Sequence, residues 1–576
     1  DDGTVKYTVE SGGTLTLNLT GSQNLVRGAL TVYGAANLNV ADMAFGGDIE
    51  VYGGTLNITS NWNTAGGGTT FDGVVGSGSS GGTINIEGNN LVFSQDVTNA
   101  FGWYTINGYM KYDNAQYASG SEGSMGLQSK DGLNAGFYDG TINVKATNGG
   151  SINFNKAVVS TGTFNINGGR VIFGSSNSAF VAIAAGTFTI KAGSDVTFGN
   201  DVFVSATFNS ERDTVFTIEG GKVSFSKDLW NWVRTWRGWM NNSSLHDDKL
   251  RAAGDLEIYV NADKKYFADL YVTRAGVSST VNFKAGSNVT FAKGTLYNYG
   301  SFGVATVNIE AGAMATLYNV KNAAYNAWTP YSASPIGETS IKWDGDLLEL
   351  YGYGDSSPVL AHGVHPSSPI KARTMLTGSS FNIFADNITI GNSVLNSGGG
   401  AAQAQYAGHM PHVDNAGFHV EGSNNKFSGT FTNEKLGFLS ITNGTNNQFS
   451  EVINGKDGHL QTKVLVSGTQ RFETFQNYAD LSLISAQKTQ IGLINQGGDA
   501  RISGDSDGLT FTRLDVNGGS VTISSKLGTA GITSDINVTN GATLHIEAEN
   551  TIYGNVVNSG QIDMDGEGSV FNGTIT

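Results

Sequence analysis

The sequence predicts an all-β fold, a right-handed parallel β-helix (β-solenoid) that runs through residues 1–576 as a single domain and carries loop and helical insertions. Three observations lead to this prediction. One short alternating phrase recurs along the chain, and its copies lie about one solenoid coil apart. The composition of 80 Gly, 6 Pro and no Cys among 576 residues also suits stacked strands joined by tight corners.

The recurring phrase consists of a small residue, Thr or Ser, an apolar residue, Asn or Thr, and a second apolar residue. Its apolar and polar positions alternate, which is the two-residue period of a half-buried strand. Gly, Asn or Ser bounds the phrase and supplies the turn. Copies begin at Gly54, Gly82, Gly140, Gly162, Gly186, Ser279, Ala305, Gly519 and Gly541.

The spacing of the copies selects the type of fold. The period is about 18–28 residues, as between Asn143 and Asn165 or between Asn424 and Asn446, and two or three short strands fit into it. This matches one coil of a parallel solenoid, whereas a propeller blade needs about 40–45 residues. Pro is scarce because a central strand must donate its backbone N–H groups to a neighbour.

Charge and composition exclude several classes of protein. Only 14 % of the residues are charged and the net charge is −16, without a basic stripe, so we expect no nucleic-acid partner. No run of about 18 apolar residues occurs, so no membrane span is predicted in this segment. The lack of Cys excludes a disulfide scaffold and a cysteine nucleophile.

Four stretches depart from the repeat, near residues 99–138, 227–272, 320–378 and 395–417, and we interpret them as insertions on the coils. Insertions in solenoids lie on one face and often carry the binding surface. The second insertion favours a helix, because Leu229, Trp232, Val233, Trp236 and Met240 follow an i, i+3, i+4, i+7 seam.

Tryptophans in the first three of these insertions are the candidate binding residues. Two interpretations stay open: the rings pack a helix onto the solenoid, or they form an aromatic platform for a sugar or protein partner. Trp230 and Trp239 lie nearer the opposite face of the predicted helix, so if any of these rings is exposed, we expect it to be these two. The candidates are Trp103, Trp230, Trp232, Trp236, Trp239, Trp328 and Trp343.

Histidine and aspartate pairs are the remaining candidates for chemistry. The histidine pairs have the i, i+3 spacing of a transition-metal site, and the aspartate pairs have the i, i+2 spacing that places both on one side of a strand. Either set is also explained by solvated loop residues, and neither matches a known catalytic or calcium motif, so we predict no cofactor, no metal and no enzymatic activity. The pairs are His362/His365, His409/His412, Asp344/Asp346, Asp505/Asp507 and Asp563/Asp565.

The phrases Gly-Thr-Leu-Asn-Ile (54–58), Gly-Thr-Phe-Asn-Ile-Asn-Gly-Gly (162–169) and Gly-Ala-Thr-Leu-His-Ile (541–546) resemble those of autotransporter passenger domains of Gram-negative bacteria. The resemblance covers most of the chain outside the insertions. It implies secretion through the outer membrane and display at the cell surface, where such passengers usually act as adhesins or self-association modules. It also fits the absence of Cys, since disulfides hinder passage through a narrow pore.

The first functional hypothesis is therefore a surface adhesin that contacts a protein or glycan on another cell or matrix, or a second copy of itself. The alternative is a structural subunit of an extracellular filament, sheath or surface layer, because the ends of a solenoid offer strand edges for stacking. A polysaccharide-active enzyme is a more distant alternative, because charged residues are sparse within the repeat phrases.

Overall fold

The computed structural model describes residues 5–60, 68–78, 80–99, 140–176, 179–184, 186–207, 213–234, 278–300, 304–324, 378–398, 416–434, 437–456, 462–528 and 531–576, and short strands within 103–129 and 340–360. The chain divides into two compact units. Unit 1 contains the described residues up to Val281 and the strands within Ala327–Leu376, and unit 2 contains the other described residues from Asn282 onward. Every element assigned in these residues is a β-strand.

The strands of unit 1 are mostly three to six residues long. They are β1 (Lys6–Val9), β2 (Thr14–Val26), β3 (Ala29–Val32), β4 (Ala35–Phe45), β5 (Ile49–Val51), β6 (Thr55–Ser60), β7 (Thr69–Phe71), β8 (Val75–Ser77), β9 (Thr83–Gly88), β10 (Leu91–Phe93), β11 (Val97–Thr98), β12 (Trp103–Tyr104), β13 (Gln128–Ser129), β14 (Thr141–Ala146), β15 (Ser151–Phe154), β16 (Val158–Ser160), β17 (Thr163–Ile166), β18 (Gly169–Phe173), β19 (Val181–Ala184), β20 (Thr187–Ile190), β21 (Ser194–Phe198), β22 (Val202–Thr207), β23 (Thr214–Ile218), β24 (Gly221–Phe225) and β25 (Leu229–Arg234).

The division between the units falls within β26 (Ser278–Phe283). The later strands are β27 (Ser287–Phe291), β28 (Thr295–Gly300), β29 (Val304–Ile309), β30 (Met314–Ala324), β31 (Ser340–Asp344), β32 (Leu347–Tyr351), β33 (Val359–Leu360), β34 (Gly378–Ile383), β35 (Thr389–Ser397), β36 (Gly417–Val420), β37 (Lys426–Glu434), β38 (Phe438–Ile441), β39 (Asn447–Asn454), β40 (Lys463–Val466), β41 (Gln470–Asn477), β42 (Asp480–Ile484), β43 (Gln490–Ser503), β44 (Thr510–Ile523), β45 (Ile536–Val538), β46 (Thr543–Ile546), β47 (Thr551–Ile552), β48 (Val556–Asn558), β49 (Gln561–Met564) and β50 (Val570–Phe571). Of these, β31 to β33 belong to unit 1.

Unit 1 is a parallel β-helix with three strands in most of its coils. Between β14 and β25, each strand pairs in parallel with the strand three places further along the chain, and like residues meet in register, as Asn143 meets Asn165. The pairs form three sheets. Sheet 1 contains β2, β4, β6, β9, β14, β17, β20 and β23; sheet 2 contains the ends of β2 and β4 with β7, β10, β15, β18, β21 and β24; sheet 3 contains β1, β3, β5, β8, β11, β16, β19, β22 and β25.

Unit 2 has the same architecture with longer strands. From β34 to β41, each strand pairs in parallel with the strand two places further along, because one long strand turns a corner and forms two sides of the coil. The register of β37 against β39 shifts between Phe427 and Thr430, which places this corner inside the strand. Both units therefore confirm the predicted all-β parallel β-helix, while a single solenoid over residues 1–576 stays a prediction.

Stacked apolar columns fill the interior of each unit. In unit 1, Phe173 lies between Phe154 and Phe198, with ring centroids 5.2 and 4.7 Å away. In unit 2, the ring centroids of Phe427 and Phe449 are 4.2 Å apart. Offset or stacked rings at this spacing add attraction beyond the burial of their apolar area, so each coil stabilises its neighbours.

Glycine columns form some of the tightest corners. A Cβ atom on Gly47 would lie 2.1 Å from the carbonyl oxygen of Gly28, and one on Gly73 would lie 2.1 Å from the oxygen of Gly47. A side chain does not fit at such an approach of one coil to the next. This accounts in part for the high glycine content of the sequence.

The helix predicted in the second insertion is wrong for the residues that the structure describes. Leu229–Arg234 forms β25, which pairs with β22 so that Leu229 meets Val202 and Trp230 meets Phe203. Leu229 and Asn231 point inward and are fully buried, so the two-residue period of the strand overrides the helical spacing. The second insertion thus begins later than predicted, and Trp236 and Met240 lie outside the described residues.

At the other predicted insertions, residues that pair on adjacent coils are separated by many more residues of sequence than in a regular coil. The side chains of Asn85 and Asn143 bond across 58 residues, instead of the 22 residues between Asn143 and Asn165. Asn382 and Asn308, whose side chains are also hydrogen-bonded, are 74 residues apart in sequence. Asn396 and Asn433, which are hydrogen-bonded on adjacent coils, are 37 residues apart. The coil pattern therefore resumes in register after each interruption.

Candidate functional surface

The three sheets of unit 1 present outward faces of different chemistry. Sheet 1 carries Thr and Asn, and sheet 2 carries mixed polar and charged side chains such as Arg170 and Lys222. Sheet 3 carries apolar and aromatic side chains in its later coils. Alternation along each strand fixes this division, because every second residue fills the interior.

The outward face of sheet 1, here the Thr–Asn face, contains a chain of side-chain amides. Each Asn after the first donates an Nδ2–H to the Oδ1 of the Asn one coil before it, at 2.8 or 2.9 Å, and the first, Asn37, donates to the Thr16 hydroxyl. All are half-buried. The members are Asn37, Asn57, Asn85, Asn143 and Asn165.

A threonine column runs beside these amides, two residues earlier on β6, β9, β14 and β17, and continues on β20, where Thr189 replaces the Asn. Its members stand in register and are half-buried or exposed. Among the described residues, no side-chain hydrogen bond engages their hydroxyl groups. The column contains Thr55, Thr83, Thr141, Thr163 and Thr187.

Sheet 3 brings an apolar column to the outside of unit 1. Val159, Ala182, Phe203 and Trp230 stand in register on successive coils. The ring centroids of Phe203 and Trp230 are 6.5 Å apart in a stacked arrangement, and Phe180 meets Phe203 edge-on at 6.2 Å. Although these positions point outward, Val159 is 3 % and Trp230 is 6 % exposed.

The expected exposure of Trp230 is therefore wrong. Its side chain is buried, and its ring stacks with that of Phe203, which strand pairing places on the same side of sheet 3. Trp103 lies in β12, Trp232 in β25 and Trp343 in β31, and the structure describes only the backbone of these three residues. Trp236, Trp239 and Trp328 lie outside the described residues, so their role in binding stays a prediction.

The described residues also exclude both histidine pairs, His362/His365 and His409/His412. Of the pair Asp344/Asp346, the structure describes only the backbone of Asp344, in β31. Asp505 accepts a hydrogen bond from Gln487, and Asp563 accepts two from Gln561 at 3.0 and 2.8 Å. Within the described ranges, no three His, Cys, Asp or Glu residues are grouped closely enough to hold a metal ion.

Two histidines lie on the outer surface of unit 2. His545 Nδ1 is 3.2 Å from Asp563 Oδ2 on the next coil. His419 occupies the position after Asn382 in its column and meets the Phe438 ring edge-on at 5.8 Å. Burial lowers the pKa of His419, and the charge of Glu421 partly opposes this shift.

Two aspartates in unit 1 join successive coils at corners. Asp96 Oδ1 accepts the backbone N–H of Ala157 at 3.0 Å, and Asp201 Oδ1 accepts that of Asp228 at 3.1 Å. Burial raises the pKa of both carboxyl groups. The backbone hydrogen bonds, and the charges of Lys156 and Lys227, partly oppose this increase of the pKa.

A buried chain of seven asparagines in unit 2, here the Asn spine, was not foreseen from the sequence. Each side chain is 0 % exposed and donates to the Oδ1 of the next Asn at 2.7 to 2.9 Å. The last one donates instead to the carbonyl oxygens of Gly498 and Gly518. The members are Asn298, Asn322, Asn396, Asn433, Asn454, Asn477 and Asn495.

The signal for the Asn spine is an Asn that recurs once in each of the seven coils from β28 to β43, whereas the next coil has Val516 at this position. Its full burial makes it a structural element, because its amides bond to one another and most of them also donate to a backbone carbonyl group. The Thr–Asn face of unit 1 is the corresponding arrangement on the outside. We therefore take the Thr–Asn face as the candidate functional surface.

Comparison with protein-family models, curated proteins and solved structures finds no match for this chain. A search of the described residues identifies no helix of the length and hydropathy needed to cross a membrane.

Proposed function

We propose that this chain is the surface-displayed passenger of an autotransporter and acts as an adhesin or self-association module in cell–cell or cell–matrix contact. The observation that carries this proposal is the Thr–Asn face, which repeats the same uncharged hydrogen-bonding groups on successive coils. A repeated array turns many weak contacts into a strong one, which suits adhesion between surfaces.

Two features of the chain support its placement at the bacterial surface. The coils carry the phrases that resemble autotransporter passengers, and the sequence contains no Cys. A cysteine-free chain has no disulfide to reduce before secretion. Both features motivate the proposed extracellular location.

A bead assay tests the adhesive function. We expect beads coated with the purified chain to clump with one another or to attach to cells or matrix. Beads coated with the same chain after thermal unfolding serve as the control, since they carry the same composition without the ordered face. Equal behaviour of the two bead populations would contradict the proposed function.

Surface labelling of the producing cells tests the proposed location. An antibody against the purified chain should stain intact cells, and protease added outside should remove the staining. Staining that requires permeabilised cells would contradict display at the surface.

A further inference from the structure

We propose that the Thr–Asn face of unit 1 binds a neutral, linear polysaccharide whose chain lies across successive coils. This inference rests on the proposed adhesive function and names the chemical class of its partner.

The hydrogen-bonding capacity of the face is the first argument. An amide carries two N–H donors and an oxygen with two lone pairs. Within the amide chain, Asn85 donates one N–H to Asn57 and accepts one from Asn143, so one donor and one acceptor site are left outward. Each neighbouring Thr hydroxyl also both donates and accepts.

The regularity of the face is the second argument. From Thr55 to Thr187 the register is unbroken through five coils, although the chain between β9 and β14 contains an insertion. At about 4.8 Å per coil, the array extends over about 19 Å. The amide chain fixes the side-chain orientation, so little conformational entropy is lost when a ligand binds.

Charge and composition select the partner. On the same strands, Lys145 Nζ and Glu87 Oε1 form an ion pair at 2.7 Å, which leaves the face without net charge there. The net charge of −16 of the chain disfavours an anionic polymer. Protein interfaces are enriched in aromatic residues, Met and Arg, and the Thr and Asn columns contain none of these. Sugar hydroxyl groups, which both donate and accept, match what the face offers.

Because each coil contributes only a few weak bonds, affinity should increase with the length of the sugar chain. Affinity electrophoresis of the full chain in gels containing dextran, laminarin or pullulan measures binding, with alginate as the anionic comparison. We expect at least one of the three neutral polymers to retard the protein, alginate not to do so, and glucose or mannose not to compete at millimolar concentration.

A triple variant tests the face itself. T83V/T141V/T163V removes three hydroxyl groups and keeps the side-chain shape and the amide chain, and should weaken retardation by about tenfold. The matched variant T8V/T31V/T70V changes outward threonines on sheets 3 and 2 and should bind as the unmodified chain does. Circular dichroism and the melting temperature establish that both variants are folded.

No retardation by any of the three neutral polymers would overturn the inference, and so would equal binding by both triple variants. Retardation by alginate alone would also overturn it and would indicate an anionic glycan. Bead adhesion without polysaccharide binding would contradict the polysaccharide inference but not the proposed adhesive function, and would indicate a protein partner. Polysaccharide binding without bead adhesion would instead contradict the proposed adhesive function.

Discussion

Asn322 donates an Nδ2–H to the Oδ1 of Asn396 at 2.8 Å, although 74 residues of sequence separate them. Both amides are fully buried, and their strands β30 and β35 pair in register. The Asn spine therefore continues unbroken across the longest interruption in unit 2. A buried amide chain of this kind aligns coils, because a slip of one strand by one residue would turn its amide to the outer face and leave the neighbouring buried amides without a partner.

Removal of one member of the Asn spine should strongly destabilise unit 2. Asn433 donates to Asn454 and to the carbonyl oxygens of Gly437 and Lys463, and it accepts from Asn396. N433A leaves several buried groups without a partner, each worth about 1–3 kcal/mol, so we expect a loss of roughly 4 kcal/mol. Hydrogen exchange of β37 and β39 in denaturant measures this loss.

The control for N433A is N57A, in the half-buried amide chain of unit 1. Water can replace the lost partners there, so we expect a loss of about 1 kcal/mol. Equal losses in the two variants would contradict a special role for burial in the Asn spine.

Replacement of residues 325–377 by a short linker should preserve the fold of unit 2. The contacts between β30 and β35 are made by residues outside this segment, and the equivalent turn two coils on, from Glu434 to Phe438, is short. Shortening the loop from about 53 to about 6 residues lowers the entropic free-energy cost of closing it by about 2 kcal/mol. We expect an unchanged strand content by circular dichroism and a melting temperature no lower than before; loss of strand signal would contradict this.

The repeat phrases predicted five of the eight strands of sheet 1, namely β6, β9, β14, β17 and β20, because their alternation and their spacing agree. Asn143 and Asn165 stand in register as that spacing requires. The helix at Leu229 was wrong because Trp232 and Val233 fit a helical seam by chance, while stacking on β22 decides the local structure. Pairing with a strand from another coil cannot be predicted from the local sequence of one segment.

The Asn spine could not be read from sequence for a different reason. Asn454 stands directly before Gly455, a combination that predicts an exposed turn. In the structure Gly455 has a φ of +74°, as a turn requires, but Asn454 is 0 % exposed because its side chain turns inward. Only the stack of coils brings these amides together.

Neutralisation of Asp96 and Asp201 should stabilise unit 1 at neutral pH. Burial raises the pKa of both, so the folded state binds protons more readily than the unfolded state, and stability decreases as pH rises through the folded pKa. D96N/D201N keeps an oxygen acceptor for both backbone N–H groups and removes the buried charge. We expect a higher melting temperature than the unmodified chain at pH 7 and no difference at pH 3.

D48N is the control for this pair. Asp48 Oδ1 accepts the backbone N–H of Val74 at 2.8 Å, but its side chain is exposed. The substitution should therefore leave the melting temperature nearly unchanged at both pH values. A gain for D48N as large as for D96N/D201N would show that desolvation is not the cause.

A methyl group on Gly47 should destabilise unit 1 by steric overlap. The added Cβ atom would lie 2.1 Å from the carbonyl oxygen of Gly28, which belongs to the backbone of the neighbouring coil. We expect G47A to lower the free energy of unfolding by roughly 3 kcal/mol. In G149A the Cβ atom meets nothing within 4 Å, so only its φ of +73° is unfavourable, at about 1 kcal/mol. Urea unfolding that ranks G149A as the more destabilised variant would be inconsistent with this packing.

Truncation of Trp230 should reduce stability, in contrast to the behaviour of an exposed binding residue. The side chain is 6 % exposed and stacks with Phe203 on the adjacent coil of sheet 3. W230A removes this packing and should lower the free energy of unfolding by about 3 kcal/mol, whereas W230F retains a ring and should lose about 1 kcal/mol. Urea unfolding followed by circular dichroism compares the two. Unfolding midpoints equal to that of the unmodified chain in both variants would mean that the stacked ring contributes nothing to the sheet, and that Trp230 is available to a partner after all.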